Sequence, residues 1–157
     1  MPQRYEWISL PGQVESVTAG RHFLTLTLAE WGLSALTDEV ALAASEVLTN
    51  AVLHARTPLH IAMQLTDQLL VSVQDGCPPW QHEQPHAQRL HLDPSGPELS
   101  PPDVSQAGQG DLPAWDSEGG RGLLLLAAVT DAWGIRPEPT GKTVWFSLAL
   151  PADVPGR

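Results

Sequence analysis

The chain has 157 residues, enough for one domain with a core of its own. Its formal net charge is -10, and seven of its eight basic residues are Arg, which argues against a general nucleic-acid or anionic-membrane surface. Its single cysteine, Cys77, excludes an internal disulfide and fits a reducing cytoplasm; no apolar run nears the length of a membrane span, and Met1 to Trp7 carries no hydrophobic leader.

Tyr5 to Leu10 reads as a short strand, stopped by Pro11-Gly12. An apolar pattern at Val17, Phe23, Leu24, Leu26, Leu28 and Trp31 predicts a first helix from about Val14 to Trp31, closed by Gly32. A second helix follows from about Thr37 to Ala55, with Thr37 as N-cap and Asp38 and Glu39 in its first turn, where negative charge suits the helix dipole. Pro58 bars its continuation.

Inside that second helix, Glu46, Asn50 and His54 recur at every fourth residue. Each step of four turns the side chain by about 40°, so the three form one narrow stripe. Val40, Ala44, Val47, Ala51 and Ala55 make an apolar stripe, and Leu42, Ala43, Leu48, Val52 and Leu53 spread apolar character over much of the rest. Little wet surface is expected in the second half of the helix, so Glu46 there needs a partner. A carboxylate and a carboxamide oxygen one turn apart can hold a hard cation or a water. His54 reads as a packing histidine beside them.

Two strands come next. Leu59, Ile61, Met63 and Leu65 alternate with His60, Ala62 and Gln64; after Thr66-Asp67-Gln68, Leu69, Val71 and Val73 alternate with Leu70, Ser72 and Gln74. The pattern predicts an antiparallel hairpin with one face buried. Asp75 is in step with Leu69, Val71 and Val73, so it points to the covered face at the strand's end. Gly76 follows and frees the backbone to turn.

Residues 76–119 hold eight prolines, seven acidic residues and one basic residue, Arg89, with no apolar period. A stretch of this kind reads as an acidic, Pro-rich lid within a single domain spanning 1–157. His82, His86 and His91 in it fit no tetrahedral zinc spacing. Order resumes at Gly119-Gly120-Arg121-Gly122, which leads into an apolar helix from Leu123 to Ala132. A short strand (133–136), a turn (137–141) and a last strand from Lys142 to Leu150 complete the chain. The tally predicts an α+β two-layer sandwich: about five strands in a mixed, mostly antiparallel sheet, with three helices on one face.

Glycines ahead of a helix let backbone N–H groups approach phosphate, and Arg121 adds positive charge there. Asp75 beside Gly76 can accept a hydrogen bond from an exocyclic amine such as that of adenine. Each signal alone is also what an ordinary tight turn or strand end would show.

The order of these elements is more specific. Ser45-Glu46-Val47-Leu48-Thr49-Asn50-Ala51-Val52-Leu53-His54-Ala55, then Asp75-Gly76, a long insertion, Gly120-Arg121-Gly122-Leu123, Trp133-Gly134 and Gly141-Lys142-Thr143-Val144-Trp145 together resemble a Bergerat-fold (GHKL, histidine kinase-like) ATP-binding domain. Residues 5–150 carry the resemblance, apart from the lid. It is nearest the stand-alone anti-sigma-factor-type serine/threonine kinases of actinobacteria.

The resemblance implies roles. Asn50 would coordinate the Mg²⁺ that bridges the phosphates of ATP, and Glu46 would act as general base. Asp75 would read the adenine amine, with Gly76 letting the base sit close. Gly120, Arg121, Gly122 and Leu123 would lie at the phosphates, and Thr143 on the last strand would complete the nucleotide site. Thr143 is out of step with Val144, Phe146 and Leu148, however, so either Thr143 or Lys142 faces the nucleotide. Where relatives often carry Asp-x-Gly-x-Gly, this chain has Asp75-Gly76-Cys77-Pro78-Pro79.

The function so implied is transfer of the ATP γ-phosphate to a small antagonist protein in the cytoplasm, with a sigma factor as a further protein partner and a homodimer as a possible assembly. The alternative is a nucleotide-binding partner-switching module with little or no turnover. A histidine autokinase is not expected, because no helix carrying a phosphoacceptor histidine precedes the domain.

Overall fold

In the computed structural model of the chain, the described residues are 3–54, 56–76, 120–138 and 141–153. The expected lid, apart from Gly76, lies outside them, as do Cys77 and the three lid histidines.

Five strands form one sheet: β1 (Arg4–Leu10), β2 (Leu59–Leu65), β3 (Gln68–Asp75), β4 (Ala132–Glu138) and β5 (Gly141–Ala149). Their spatial order is β1-β2-β3-β5-β4. All four pairings are antiparallel, so among the described residues no strand makes the sheet mixed. Three helices accompany it: α1 (Glu15–Glu30), α2 (Thr37–His54) and α3 (Gly120–Val129). The α+β architecture is as expected from the alternation of apolar periods.

Helix α1 ends where Gly32 allows it to. Gly32 has φ +74°, the Leu33 amide donates to the Leu28 carbonyl at 2.8 Å, and the Gly32 amide donates to Ala29 at 3.1 Å. These two bonds satisfy helix-end carbonyls in the Schellman pattern, and Leu28 and Leu33 are both fully buried beside each other in the core. The inner stripe of α1 is Ser16, Gly20, Leu24, Thr27 and Leu28. Leu26, expected in the apolar pattern, is instead 51% exposed. Gly20 explains the close packing of this helix: a Cβ there would come within 2.8 Å of both Ile61 Cδ1 on the sheet and Leu48 Cδ1 on α2.

Thr37 is not the N-cap of α2. A 3-10 turn (Ser34–Leu36) runs directly into the helix, and Thr37 already has helical angles of -62° and -42°. Asp38 and Glu39 do occupy the first turn. The helix also keeps a wet line: Asp38, Leu42, Thr49 and Leu53 are exposed, so its second half is less enclosed than its composition suggests. Helix α2 is the central one, packing against both α1 and α3.

The helices cover the sheet face that bears Ile61, Met63, Leu69, Val71, Val73, Val144, Phe146 and Leu148, all members of the main core. The opposite face is buried too, which corrects the expectation of a one-sided hairpin: every residue of β2 is buried. That second face holds a small cluster of Ala62, Leu70 and Trp145, with buried polar side chains at His60, Gln64, Ser72, Thr143 and Ser147. Alternation of apolar and polar residues thus separates two kinds of buried surface here, not inside from outside.

Two boundaries shift. The glycines at 120 and 122 belong to the first turn of α3, not to a turn ahead of it, and the helix ends at Val129, before Ala132. Strand β4 begins at Ala132 and includes Pro137 and Glu138, which were expected in the following turn.

Candidate functional site

Asp75 is the last residue of β3, and period-two alternation places it on the helix-covered face with Val71 and Val73. It is almost wholly buried. Its cross-strand partner is Lys142, the second residue of β5. The Lys142 ammonium donates to Asp75 Oδ2 at 2.7 Å, and the Lys142 backbone N–H donates to Oδ1 at 3.3 Å. The carboxylate is therefore held at both oxygens, and a buried carboxylate needs such partners.

The backbone around Asp75 is fixed from two sides. Gly76 turns the chain with φ +72°, and its amide donates to Thr57 Oγ1 at 2.6 Å. Gly141 lies flat against this turn, so that a Cβ there would collide with the Asp75 carbonyl oxygen. Thr57 follows the exit of α2, and its backbone in turn lies against Gly12, where a Cβ would also collide. The C-terminal end of α2 and the Asp75 end of the sheet are thereby tied together. Thr57 had no role in the sequence reading, although its position between the helix end and Pro58 marks a chain reversal that must be held by something.

Glu46 and Asn50 stand on α2, both half-buried, flanking its exposed line. One turn separates them, a rise of about 6 Å. Neighbouring Ser45 spends its hydroxyl on the Ala41 carbonyl at 2.6 Å, within the helix. Asn50 lies in the last turns before the exit that Thr57 ties to Gly76, so the helix carries the carboxamide towards the Asp75 end. Gly120, Arg121, Gly122 and Leu123 form the first turn of α3, which packs on α2. The first four N–H groups of a helix have no intrahelical acceptor, so this turn offers donors suited to an anion. The side chain of His54 lies outside the described residues.

Thr143 and Lys142 part company. Thr143 pairs with Gln74 and Arg136, and shares the second face with His60 and Trp145. Lys142 takes the Asp75 face. Of the two, Lys142 is the residue beside Asp75, and Thr143 is on the other face of the sheet.

A cation at Asn50 would find few protein ligands: no group of three or more His, Cys, Asp or Glu side chains able to cage a metal occurs among the described residues. Among the same residues, no helix is long and apolar enough to cross a membrane.

The fold is thus a two-layer α+β sandwich with a helix start at Gly120, an amide-bearing central helix and a buried strand-end carboxylate. The family model described as histidine kinase-like ATPase domain matches residues 10–148, and the chain belongs to that family. No curated protein matches the chain. The membership supports ATP as the nucleotide.

Proposed function

We propose that the protein is an ATP·Mg²⁺-dependent serine/threonine protein kinase of the anti-sigma type, acting on a small antagonist protein in the cytoplasm and able to bind a sigma factor. The observation that carries the reading is the pair Glu46 and Asn50, half-buried one turn apart on the helix whose exit is tied to the Asp75–Gly76 strand end.

In this reading Asp75 accepts a hydrogen bond from the adenine amine, and the first turn of α3 meets the phosphates. The amide oxygen of Asn50 holds Mg²⁺, which when bound neutralises phosphate charge. Glu46 accepts the proton of the acceptor serine or threonine hydroxyl as its oxygen attacks the γ-phosphorus. The bond from that phosphorus to the β–γ bridging oxygen breaks, and ADP leaves with the electron pair. Such a transfer asks for positioning and charge neutralisation more than for covalent chemistry, which two half-buried polar groups on a rigid helix supply.

The second reading, a nucleotide-binding partner-switching module without turnover, is favoured by one feature: residues 76–119 carry a net charge of -6, unlike a loop built to grasp phosphates. Incubation of the protein and of Glu46→Ala with γ-labelled ATP, Mg²⁺ and candidate antagonist proteins separates the two. Label transfer by the parent protein, reduced about 10²–10⁴-fold in the variant while ATP still binds, is expected for the kinase. Tight ATP binding with neither transfer nor hydrolysis would leave the module. A melting temperature that saturating ATP fails to raise would sink both, since a ligand at a hundred times its dissociation constant adds about 2.7 kcal/mol.

A further inference from the structure

Strand β3 ends at Asp75, so the sheet does not set the peptide that follows it. That peptide joins Asp75 to Gly76, whose φ is +72° and which has no Cβ to limit rotation. A glycine beside a functional carboxylate leaves its aim free unless something else holds the backbone. Here two contacts do so, one at each end of the same peptide plane. The Gly76 N–H donates to Thr57 Oγ1 at 2.6 Å. The Asp75 carbonyl lies so close over Gly141 that a Cβ there would collide with it. Gly141 limits the approach of the carbonyl, whereas Thr57 supplies a directed bond.

Thr57 is itself held. Arg56 before it has φ +52°, a left-handed conformation uncommon for a residue with a side chain, and one that persists where the surroundings enforce it. Gly12 packs against the Arg56–Thr57 peptide, and a Cβ there would collide with it. Pro58 fixes the next φ. The hydroxyl is thus presented to Gly76 from a constrained exit of α2. Strain of this kind gathers at sites where a precise backbone is used.

We propose that Thr57 is a positioning residue for base recognition: its hydroxyl holds the Asp75–Gly76 peptide so that the Asp75 carboxylate meets the exocyclic amine of adenine. This inference rests on the reading of Asp75 as the adenine-reading residue, and it adds the group that sets the aim of that residue. Thr57 acts through Gly76 and not on the ligand. Its methyl group has no part, so serine serves as well, while valine keeps the branched shape and loses the acceptor.

The test measures, by calorimetry on the full chain, binding of ATP and of purine riboside triphosphate, which lacks the amine. Each is titrated into the parent protein, Thr57→Ser and Thr57→Val. The parent is expected to prefer ATP by about tenfold or more, the ordinary effect of a hydrogen bond to a charged group. Thr57→Val is expected to bring that preference below about threefold, and Thr57→Ser to keep it within about twofold of the parent's. A valine variant that weakens both nucleotides equally, or neither, would reduce Thr57 to a structural tie and overturn the proposal. So would a serine variant that loses the preference as valine does. The site reading itself fails differently: the parent would bind no ATP, or would bind both triphosphates alike, and the proposal would fall with it.

Should Thr57→Val not fold, the parent protein still answers. Asp75-Gly76 is the only Asp-Gly pair in the sequence, so ¹³C-carbonyl aspartate with ¹⁵N-glycine marks one amide, that of Gly76. Linkage is reciprocal: a Gly76–Thr57 bond that favours the amine-bearing base is strengthened by that base to the same degree. Hydrogen exchange of this amide is expected to slow more with saturating ATP than with saturating purine riboside triphosphate. Equal slowing by the two, or by neither, overturns the proposal.

Discussion

The two faces of the sheet use the same backbone and are both buried, yet they are built differently. The helix-covered face runs Leu69, Val71, Val73 on β3 and Val144, Phe146, Leu148 on β5, without a polar interruption until Asp75 and Lys142 at its end. The opposite face mixes Leu70 and Trp145 with buried Gln64, Ser72, Thr143 and Ser147. A polar group is informative in proportion to how little its surroundings accommodate it. Asp75 stands out because the rest of its face is apolar and it is held by the lysine beside it. Thr143 is one polar side chain among several, and a hydroxyl in such company is ordinary.

If the covered face is the true core, the largest effect falls there. Phe146→Ala is expected to destabilise the protein by about 3–5 kcal/mol, because the phenyl ring is fully buried among helix and strand side chains and leaves a cavity. Trp145→Ala, one residue along and on the other face, is expected to fall at the low end of that range, about 3 kcal/mol, since its buried apolar neighbours among the described residues are only Ala62 and Leu70. Denaturant midpoints of the two variants decide it. Equal losses would mean that both faces carry the same share of the core, and the contrast would collapse.

A smaller effect tests the second face on its own terms. Gly134 on β4 lies directly opposite Trp145, and a Cβ at Gly134 would come within 2.7 Å of the indole Nε1. The ring lies over the bare backbone of the glycine, a cross-strand arrangement in which an aromatic residue compensates for a missing side chain. Gly134→Ala is expected to cost about 1–3 kcal/mol through forced displacement of the ring. In a Trp145→Val background Gly134→Ala should cost much less, because the two changes share one contact. A double variant no more stable than the sum of the singles would show that Gly134 is required for its backbone and not for its neighbour.

How much of this was legible in the chain follows from what period and spacing can encode. The β2–β3 hairpin, the side on which Asp75 points and the closing of α1 at Gly32 all rest on local rules, and all hold. The start of α3 does not: Gly120 and Gly122 read as a turn because glycine is a poor helix former, and the helix nevertheless begins at Gly120. Thr37 failed as a cap because a 3-10 turn feeds the helix from Ser34, which no single-residue preference announces. Burial of both sheet faces was hidden, since alternation marks a change of face and says nothing of what lies over the second one. In the candidate site, Glu46, Asn50 and Asp75 were visible as types at a spacing. The bond from Gly76 to Thr57 and the partnership of Asp75 with Lys142 were not, because they join residues 19 and 67 positions apart, and local patterns do not encode such pairings.

The smallest expected effect is the one that bears most directly on the two faces. The resemblance implies Thr143 as a residue of the nucleotide site, yet it pairs with Gln74, one step from Asp75, and one step along a strand is the other side of the sheet. A hydroxyl there reaches a nucleotide on the helix side only through the backbone. Thr143→Val keeps the branched shape that suits a strand and removes the hydroxyl alone. Its expected effect on ATP affinity is less than about threefold, well below the roughly tenfold that a direct hydrogen bond at the base would cost. The hydroxyl is buried, so some loss of stability is expected, of about 1–2 kcal/mol, and it would appear equally with and without nucleotide. Titration of ATP into Thr143→Val, beside its melting temperature in the absence of ligand, separates the two contributions. A tenfold loss of affinity at unchanged stability would place the nucleotide within reach of the second face, and would undo the assignment of the site to the Asp75 side.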